Sequence, residues 1–157
     1  MKVAFVPSFA ALLLPLFVLL SFSFPLQAAT PTAGQEQQSL DGKWDFMIDP
    51  VVAGEKAGTW DTITVPGNWD VLPEYATYTG KGWYRRTFTV PADWKGKHLR
   101  LGFGAVYETA RVALNGQELG SHRGGYTPFE FDVTDKVNYG GKNTVIVSAD
   151  NTPRRGA

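Results

Sequence analysis

Short segments in which apolar and polar side chains alternate recur along this sequence, and they constrain its fold more than any other feature. In the clearest of them, Phe129, Phe131 and Val133 alternate with Glu130 and Asp132. Successive side chains of a β-strand point to opposite faces, so this pattern predicts a half-buried strand with its three apolar residues toward a core. Two consecutive glycines shortly before the segment predict a tight loop at its entrance.

Further short segments follow the same pattern, and Gly, Pro or Asn separates them. The dipeptide Asn115-Gly116 is the strongest hairpin signal, because both residues tolerate the positive φ of a type I′ turn. Many short strands without a convincing helix predict an all-β fold, an antiparallel β-sandwich of the jelly-roll, galactose-binding-domain-like type. The remaining predicted strands are 44–48, 60–65, 82–90, 97–103, 110–114, 117–120 and 143–149.

The first 29 residues have the three-part layout of a secretory signal peptide. Lys2 precedes an apolar run over 9–20, and the small residues Ala28 and Ala29 follow. A retained membrane anchor is the alternative, but the apolar core is only about a dozen residues long and Pro15 interrupts it, which favours cleavage. We therefore expect a secreted or periplasmic protein.

The rest of the sequence divides into a polar, flexible lead-in over 30–39 and one jelly-roll domain over 40–157. Lys plus Arg equals Asp plus Glu at 15 each, so no nucleic acid or anionic membrane is indicated as a partner. The absence of cysteine excludes disulfides and thiolate metal sites, so packing of many aromatic side chains must stabilise the domain.

Candidate catalytic groups are few. Glu130 and Asp132 lie two residues apart on one strand face, about 7 Å from each other, near the spacing of an inverting glycosidase pair. The same spacing arises on any solvated strand face, and we favour that interpretation. His98 and His122 are far apart in the sequence and have no clustered ligands, so no metal or cofactor is predicted.

An aromatic loop over 68–81 is a better candidate for binding. Its rings could stack on sugars while neighbouring polar side chains bond the hydroxyl groups, although aromatic residues at this density more often fill a core, which we favour. The candidate rings are Trp69, Tyr75, Tyr78 and the nearby Trp83, with Asn68 or Arg85 as the polar groups.

Several ordered motifs between about residues 40 and 151 resemble the amino-terminal sugar-binding domain of glycoside hydrolase family 2, most closely its β-glucuronidase and β-galactosidase members. They are Val65-Pro66-Gly67-Asn68-Trp69, the run 78–91 that contains Gly82-Trp83-Tyr84-Arg85-Arg86, Phe103-Gly104-Ala105-Val106, the run 110–116, and Gly124-Gly125-Tyr126-Thr127-Pro128-Phe129.

This resemblance implies a jelly-roll domain that precedes an immunoglobulin-like sandwich and a (β/α)8 barrel. It also implies retaining hydrolysis by two glutamates on that barrel, so Glu108, Glu118 and Glu130 do not take these roles. We expect this chain to be a truncated form, incomplete at its C-terminus, of an enzyme without a cofactor. The expected partners are a β-glycoside substrate, the missing domains, and further copies in a homo-oligomer.

The resemblance places Asp150 and Asn151 where chains of this family turn toward the active-site mouth. They are therefore the candidate substrate-binding residues, although a simple strand-end turn is the interpretation that we favour. The resulting hypothesis is the leading domain of an exported retaining β-glycosidase, inactive by itself. A free-standing carbohydrate-binding module is the alternative, and a structural domain whose aromatic surface docks a barrel is a third possibility.

Overall fold

The computed structural model describes residues 3–7, 36–49, 54 and 58–153. Its strands are β1 Val3–Pro7, β2 Gln38–Ser39, β3 Gly42–Ile48, β4 Asp61–Val65, β5 Lys81–Thr89, β6 Leu99–Phe103, β7 Thr109–Leu114, β8 Gln117–Arg123, β9 Phe129–Asp132 and β10 Lys142–Asp150. Three single 3-10 turns, Trp69–Val71, Pro73–Tyr75 and Ala92–Trp94, lie between them.

The strands form two antiparallel sheets. The smaller sheet has the order β2-β1-β6-β9, and the larger has the order β4-β3-β5-β10-β7-β8. All pairs of neighbouring strands in both sheets run antiparallel. The predicted all-β antiparallel sandwich is therefore confirmed.

The core lies between the two sheets and is lined by the apolar residues that alternate along each strand. Trp44 donates its indole N–H to the carbonyl of Leu40 at 2.8 Å, so the polar group of this fully buried side chain has a hydrogen-bond partner. Residues from both sheets are fully buried, including Phe46, Leu99, Leu101, Val112, Leu114, Val133, Val145 and Val147.

The stretch around β9 has the predicted two-faced character. Phe129 and Phe131 are half-buried and pack on the core, whereas Glu130 and Asp132 are exposed. Gly120 of β8 has a φ of +146°, and a Cβ there would lie 2.9 Å from the ring of Phe131. Only glycine fits this position, so β8 and β9 can come close enough to pack.

Strand β8 differs from its prediction. It was expected over 117–120, but it continues through Arg123, which pairs with Thr109 of β7. The extension consists of small and polar residues without alternation, so its strand conformation depends on backbone pairing to β7. The hairpin at Asn115 and Gly116 is confirmed, since both have positive φ, 52° and 80°.

Part of the predicted signal segment lies in the smaller sheet, because β1 pairs with β6 from Val3 opposite Phe103 to Pro7 opposite Leu99. Residues 8–29 lie outside the described residues, so cleavage of the leader stays a prediction. Gln38 and Ser39, from the predicted lead-in, form β2. In the described part of the chain, no helix is long and apolar enough to cross a membrane.

We predict that Leu101→Ala lowers the free energy of unfolding by about 2–5 kcal/mol, because Leu101 is 0% exposed and its loss leaves a cavity between the sheets. Urea unfolding followed by tryptophan fluorescence measures this. The matched control is Val71→Ala at a side chain that is 71% exposed, which should change stability by less than about 0.5 kcal/mol. Equal effects of the two substitutions would contradict the assigned core.

Candidate functional site

A pocket of about 390 Å³ opens where five separate segments of the chain meet. Its size lies within the range of small-molecule sites. Backbone hydrogen bonds from Glu108 N–H to Asp150 C=O, at 3.1 Å, and from Gly124 N–H to Glu108 C=O, at 2.9 Å, hold three of the segments together. The lining residues are Gly67, Asn68, Trp69, Asp70, Tyr84, Ala105, Val106, Tyr107, Gly125, Tyr126, Ala149 and Asn151.

The aromatic floor of the pocket belongs to the core. Trp69 and Tyr84 are each 4% exposed, and Trp69 stacks on Phe46 with ring centroids 5.8 Å apart and an interplanar angle of 25°. The indole N–H of Trp69 also donates to the carbonyl of Tyr78 at 3.3 Å. At Gly82 of β5, a Cβ would lie 2.9 Å from both the Phe46 and Trp69 rings, so glycine lets the indole pack onto the strand.

One wall of the pocket consists of two exposed tyrosines. Tyr107 is 51% exposed and Tyr126 is 87% exposed, and their ring centroids are 5.9 Å apart with a 60° tilt. A Cβ on Gly125 would lie 2.2 Å from the Tyr107 ring, so the ring can pack here only because residue 125 has no side chain. Large exposed aromatic side chains beside a pocket are typical of a binding surface.

Two polar side chains, Asn68 and Asp70, also line the pocket. The side-chain amide of Asn68 donates to the carboxylate of Asp70 at 3.2 Å, which orients both groups. Among the described residues that line the pocket, Asp70 is the single charged residue. Burial raises the pKa of the Tyr84 hydroxyl, and the negative charge of Asp70 raises it further, so Tyr84 is protonated at neutral pH.

The predicted aromatic loop serves mainly as core, which confirms the interpretation that we favoured. The Tyr75 hydroxyl donates to Asp61 at 2.8 Å, and this bond raises the pKa of Tyr75 to about 12. Tyr78 donates to the carbonyl of Lys81 at 2.9 Å. Of the four predicted rings, Trp69 lines the pocket, as a buried floor residue.

The two remaining groups of that prediction lie on the outer face of the larger sheet. The Trp83 indole N–H donates to Asp49 at 2.9 Å. Arg85 forms an ion pair with Asp45 at 2.8 Å and lies over the Trp60 ring at 4.2 Å. Asn68, by contrast, is at the pocket as expected for a group that bonds ligand hydroxyls.

The candidate Asp150 is the last residue of β10, and Asn151, which directly follows it, lines the pocket. The Asn151 side chain accepts from the Gly80 N–H at 2.7 Å and donates to the Tyr78 carbonyl at 3.4 Å. The Asp150 carboxylate accepts from the Thr152 N–H at 3.0 Å, a bond of the kind found in strand-end turns. With these hydrogen bonds both side chains stabilise the local fold, and their role in substrate binding stays a prediction.

Glu130 and Asp132 lie on the smaller sheet, away from the pocket. Glu130 forms an ion pair with Arg100 of the paired strand. Asp132 accepts from the Thr134 side chain and from the Thr134 N–H at 2.9 Å, and these bonds lower the pKa of Asp132. Both are exposed, so the solvated-face interpretation is confirmed. Across the described residues, no group of three or more His, Cys, Asp or Glu side chains could hold a metal ion.

Sequence reasoning did not identify Asp70, Tyr84 or Tyr107 as pocket residues, and it named Tyr126 only as part of a family motif. These residues come from segments that are far apart in the sequence and meet only in the fold. The signal that could have found Tyr126 is an aromatic residue directly after two glycines, in a loop rather than in a strand.

Two antiparallel sheets packed around one core define the class of β-sandwich domains. The profile described as "Glycosyl hydrolases family 2, sugar binding domain" matches residues 37–151, and the chain belongs to this family. The resemblance noted in the sequence is thereby confirmed.

Curated relatives agree with this assignment. A β-glucuronidase of Bacteroides fragilis is 36% identical over 140 residues, which cover 87% of this chain and 19% of that protein. A β-galactosidase of Thermoanaerobacter pseudethanolicus is 43% identical over 74 residues, which cover 46% of this chain and 10% of that protein. The chain thus spans about a fifth or less of the length of these two relatives.

A solved structure shows the same fold. The β-glucuronidase from Ruminococcus gnavus in complex with D-glucuronic acid superposes with a TM-score of 0.69 at 32% sequence identity. The match covers 73% of this chain and 21% of that one.

We predict that Gly125→Ala displaces the Tyr107 ring and separates it from Tyr126, because the added methyl group would overlap the ring. The ring is half exposed and can swing outward, so the unfolding free energy should fall by only about 1 kcal/mol or less. Nuclear Overhauser contacts between the two tyrosine rings provide the measurement.

Gly141→Ala is the matched control, since a Cβ there has 3.4 Å to its nearest neighbour on Asn138. The inter-tyrosine contacts should persist in this variant. Unchanged contacts in Gly125→Ala would show that the glycine does not determine the position of Tyr107.

Proposed function

We propose that the pocket between Trp69, Tyr84, Tyr107 and Tyr126 binds the pyranose ring of a β-glycoside. We further propose that the chain is the leading domain of an exported, retaining β-glycosidase of the β-glucuronidase or β-galactosidase type. The observation that carries the first proposal is the pair of exposed tyrosines beside a pocket with a buried aromatic floor.

The chemistry of the pocket suits a sugar ring. A pyranose has a face of C–H groups that packs on an aromatic ring and a rim of hydroxyl groups that need hydrogen-bond partners. Tyr107 and Tyr126 offer the aromatic faces, and Asn68 and Asp70 offer polar groups across the pocket. An apolar cavity with a few placed polar groups is the usual design of small-molecule sites.

The same lining argues that this pocket binds but does not hydrolyse. Retaining hydrolysis requires two carboxyl groups about 5–5.5 Å apart. Asp70 is the one carboxylate among the described residues of the lining. The proposed hydrolysis is therefore assigned to the barrel that the family resemblance implies, which fits relatives about five times as long as the matched segment.

We expect the 157-residue chain to show no turnover of 4-nitrophenyl β-glycosides, because the pocket lacks the second carboxylate. Absorbance assays with the galactoside and the glucuronide, beside a complete family 2 enzyme as positive control, provide the test. Hydrolysis above the no-enzyme rate that survives further purification would contradict this assignment.

The alternative is a free-standing carbohydrate-binding module, and it is favoured by exposed aromatic side chains beside a pocket whose described lining holds a single carboxylate. A module of this kind binds glycan polymers, whereas a domain that cooperates with a barrel binds a single glycoside unit. Saturable binding to polysaccharides with no response to monosaccharide glycosides would favour the module.

Export rests on the layout of residues 1–29. Expression of the whole chain in a bacterial host, followed by N-terminal sequencing of the protein recovered outside the cytoplasm, tests it. The expected first residue is near Thr30. Recovery of the chain only in the cytoplasm with its leader intact would refute export.

Substitution of Tyr126 tests the proposed site directly. Tyr126→Ala should weaken binding of methyl β-D-galactopyranoside about five- to tenfold, the loss expected for one ring contact. Stability should change by less than about 0.5 kcal/mol, because the side chain is 87% exposed. Titration followed by amide chemical shifts gives the affinity, and Tyr126→Phe, which keeps the ring, should bind as the parent does. Parent-like affinity in Tyr126→Ala would exclude stacking on this ring.

A further inference from the structure

The hydroxyl group of Tyr84 is unusual among the buried and half-buried tyrosines of this domain. Tyr75 donates to Asp61, Tyr78 donates to the Lys81 carbonyl, and Tyr139 donates to the Thr134 carbonyl, all within 2.8–2.9 Å. Tyr84 is 4% exposed, yet its hydroxyl has no hydrogen-bond partner among the residues that the structure describes. The hydroxyl oxygen is not one of the fully buried side-chain atoms that lack a partner in the described structure, so at this pocket residue it keeps contact with solvent and is open to a ligand.

The ring of Tyr84 is fixed in place, so its hydroxyl cannot turn toward a partner elsewhere. It lies against Phe46, with centroids 4.9 Å apart, and against Trp69, with centroids 6.3 Å apart. Tyr84 also lines the floor of the pocket. An unpartnered donor that is held rigidly at the floor of a pocket is suited to bonding a ligand.

Asp70 acts on the same region of the pocket. Its carboxylate is held by the Asn68 amide at 3.2 Å, and its charge reaches the Tyr84 hydroxyl, whose pKa it raises in addition to the larger effect of burial. The hydroxyl is therefore a donor across the physiological pH range, and the carboxylate beside it is an acceptor. Lys, Arg and His are absent from the described residues that line the pocket.

We propose that Tyr84 and Asp70 together bind one ring hydroxyl of the sugar: the Tyr84 O–H donates to that hydroxyl, which in turn donates to the Asp70 carboxylate. The inference rests on the proposed function, because it assumes that a glycoside enters this pocket. It makes Tyr84 a ligand-binding residue and the pocket selective for neutral pyranosides.

Selectivity follows from the charge of the pocket. A uronate that bound with its carboxylate at this end would place two negative charges near each other with no cation in the lining to offset them. Two such charges about 6 Å apart at an effective dielectric constant of about 40 correspond to about tenfold weaker binding. A neutral glycoside brings a hydroxyl group to the same place and has no such penalty.

Titration of the whole chain with methyl β-D-galactopyranoside, methyl β-D-glucopyranoside and methyl β-D-glucuronide tests the proposal. The parent should bind the neutral glycosides about tenfold more tightly than the glucuronide. Tyr84→Phe should bind the neutral glycosides about five- to tenfold more weakly than the parent. Asp70→Asn should reduce the difference between the neutral and anionic ligands to about twofold or less.

Thermal unfolding separates this role from a structural one. Tyr84→Phe removes an unpartnered hydroxyl, so the ligand-free variant should unfold at or above the parent midpoint. Tyr139→Phe is the matched control, because it removes a hydroxyl that bonds the Thr134 carbonyl at 2.8 Å, far from the pocket lining. This control should lower the midpoint and leave the affinity for glycosides unchanged.

The outcomes distinguish the two proposals. If the parent binds glycosides but Tyr84→Phe binds them equally well, or if the glucuronide binds as tightly as the neutral ligands, the hydroxyl site is refuted and the sugar pocket stands. If no glycoside shifts any amide of the pocket in the parent, the proposed function fails together with this inference. A Tyr84→Phe variant that is as unstable as Tyr139→Phe would assign the hydroxyl a structural bond and overturn the proposal.

Discussion

The packing of Trp69 across Gly82 onto Phe46 and Tyr84 is the contact on which the rest of the structure depends. It joins the loop after β4 to the centre of the larger sheet, and it turns core side chains into the floor of a pocket. A bulkier residue at position 82 would displace the indole and remove the floor. The core and the floor of the candidate pocket are thus one aromatic cluster, with a buried side that stabilises the sandwich and a side that faces the pocket.

Alternation along the strands made most of the fold predictable. The strands β3 to β10 were predicted within a few residues of their bounds, because apolar side chains at every second position have one arrangement that buries them. The strands β1 and β2 were not predicted, since they lie in the segments interpreted as a signal peptide and a lead-in. The last three residues of β8 were missed, since Ser121, His122 and Arg123 show no apolar alternation. They pair with the first residues of β7, and His122 also stacks on Phe129, a contact that the local sequence does not reveal.

The candidate site was much less predictable than the fold. Asn68 was suggested as a polar group near a ligand, but Tyr84 was named only as part of a predicted strand and a family motif. Its distinction is an absent hydrogen bond, and hydrogen bonds between distant segments cannot be read from one sequence. The most conspicuous acidic pair, Glu130 and Asp132, is held by Arg100 and by a local turn instead. In this domain, the acidic pair that is most visible in the sequence has a structural role. The groups at the pocket come from segments that lie far apart in the sequence and meet only in the folded chain.

The central claim is that a glycoside ring lies between Tyr126 and Tyr84. Intermolecular nuclear Overhauser contacts between bound methyl β-D-galactopyranoside and the whole chain test it most directly. The account predicts contacts from the sugar ring protons to the aromatic protons of both tyrosines. Contacts only to the outer face of the larger sheet, around Trp60 and Trp83, would place the ligand elsewhere and contradict the account.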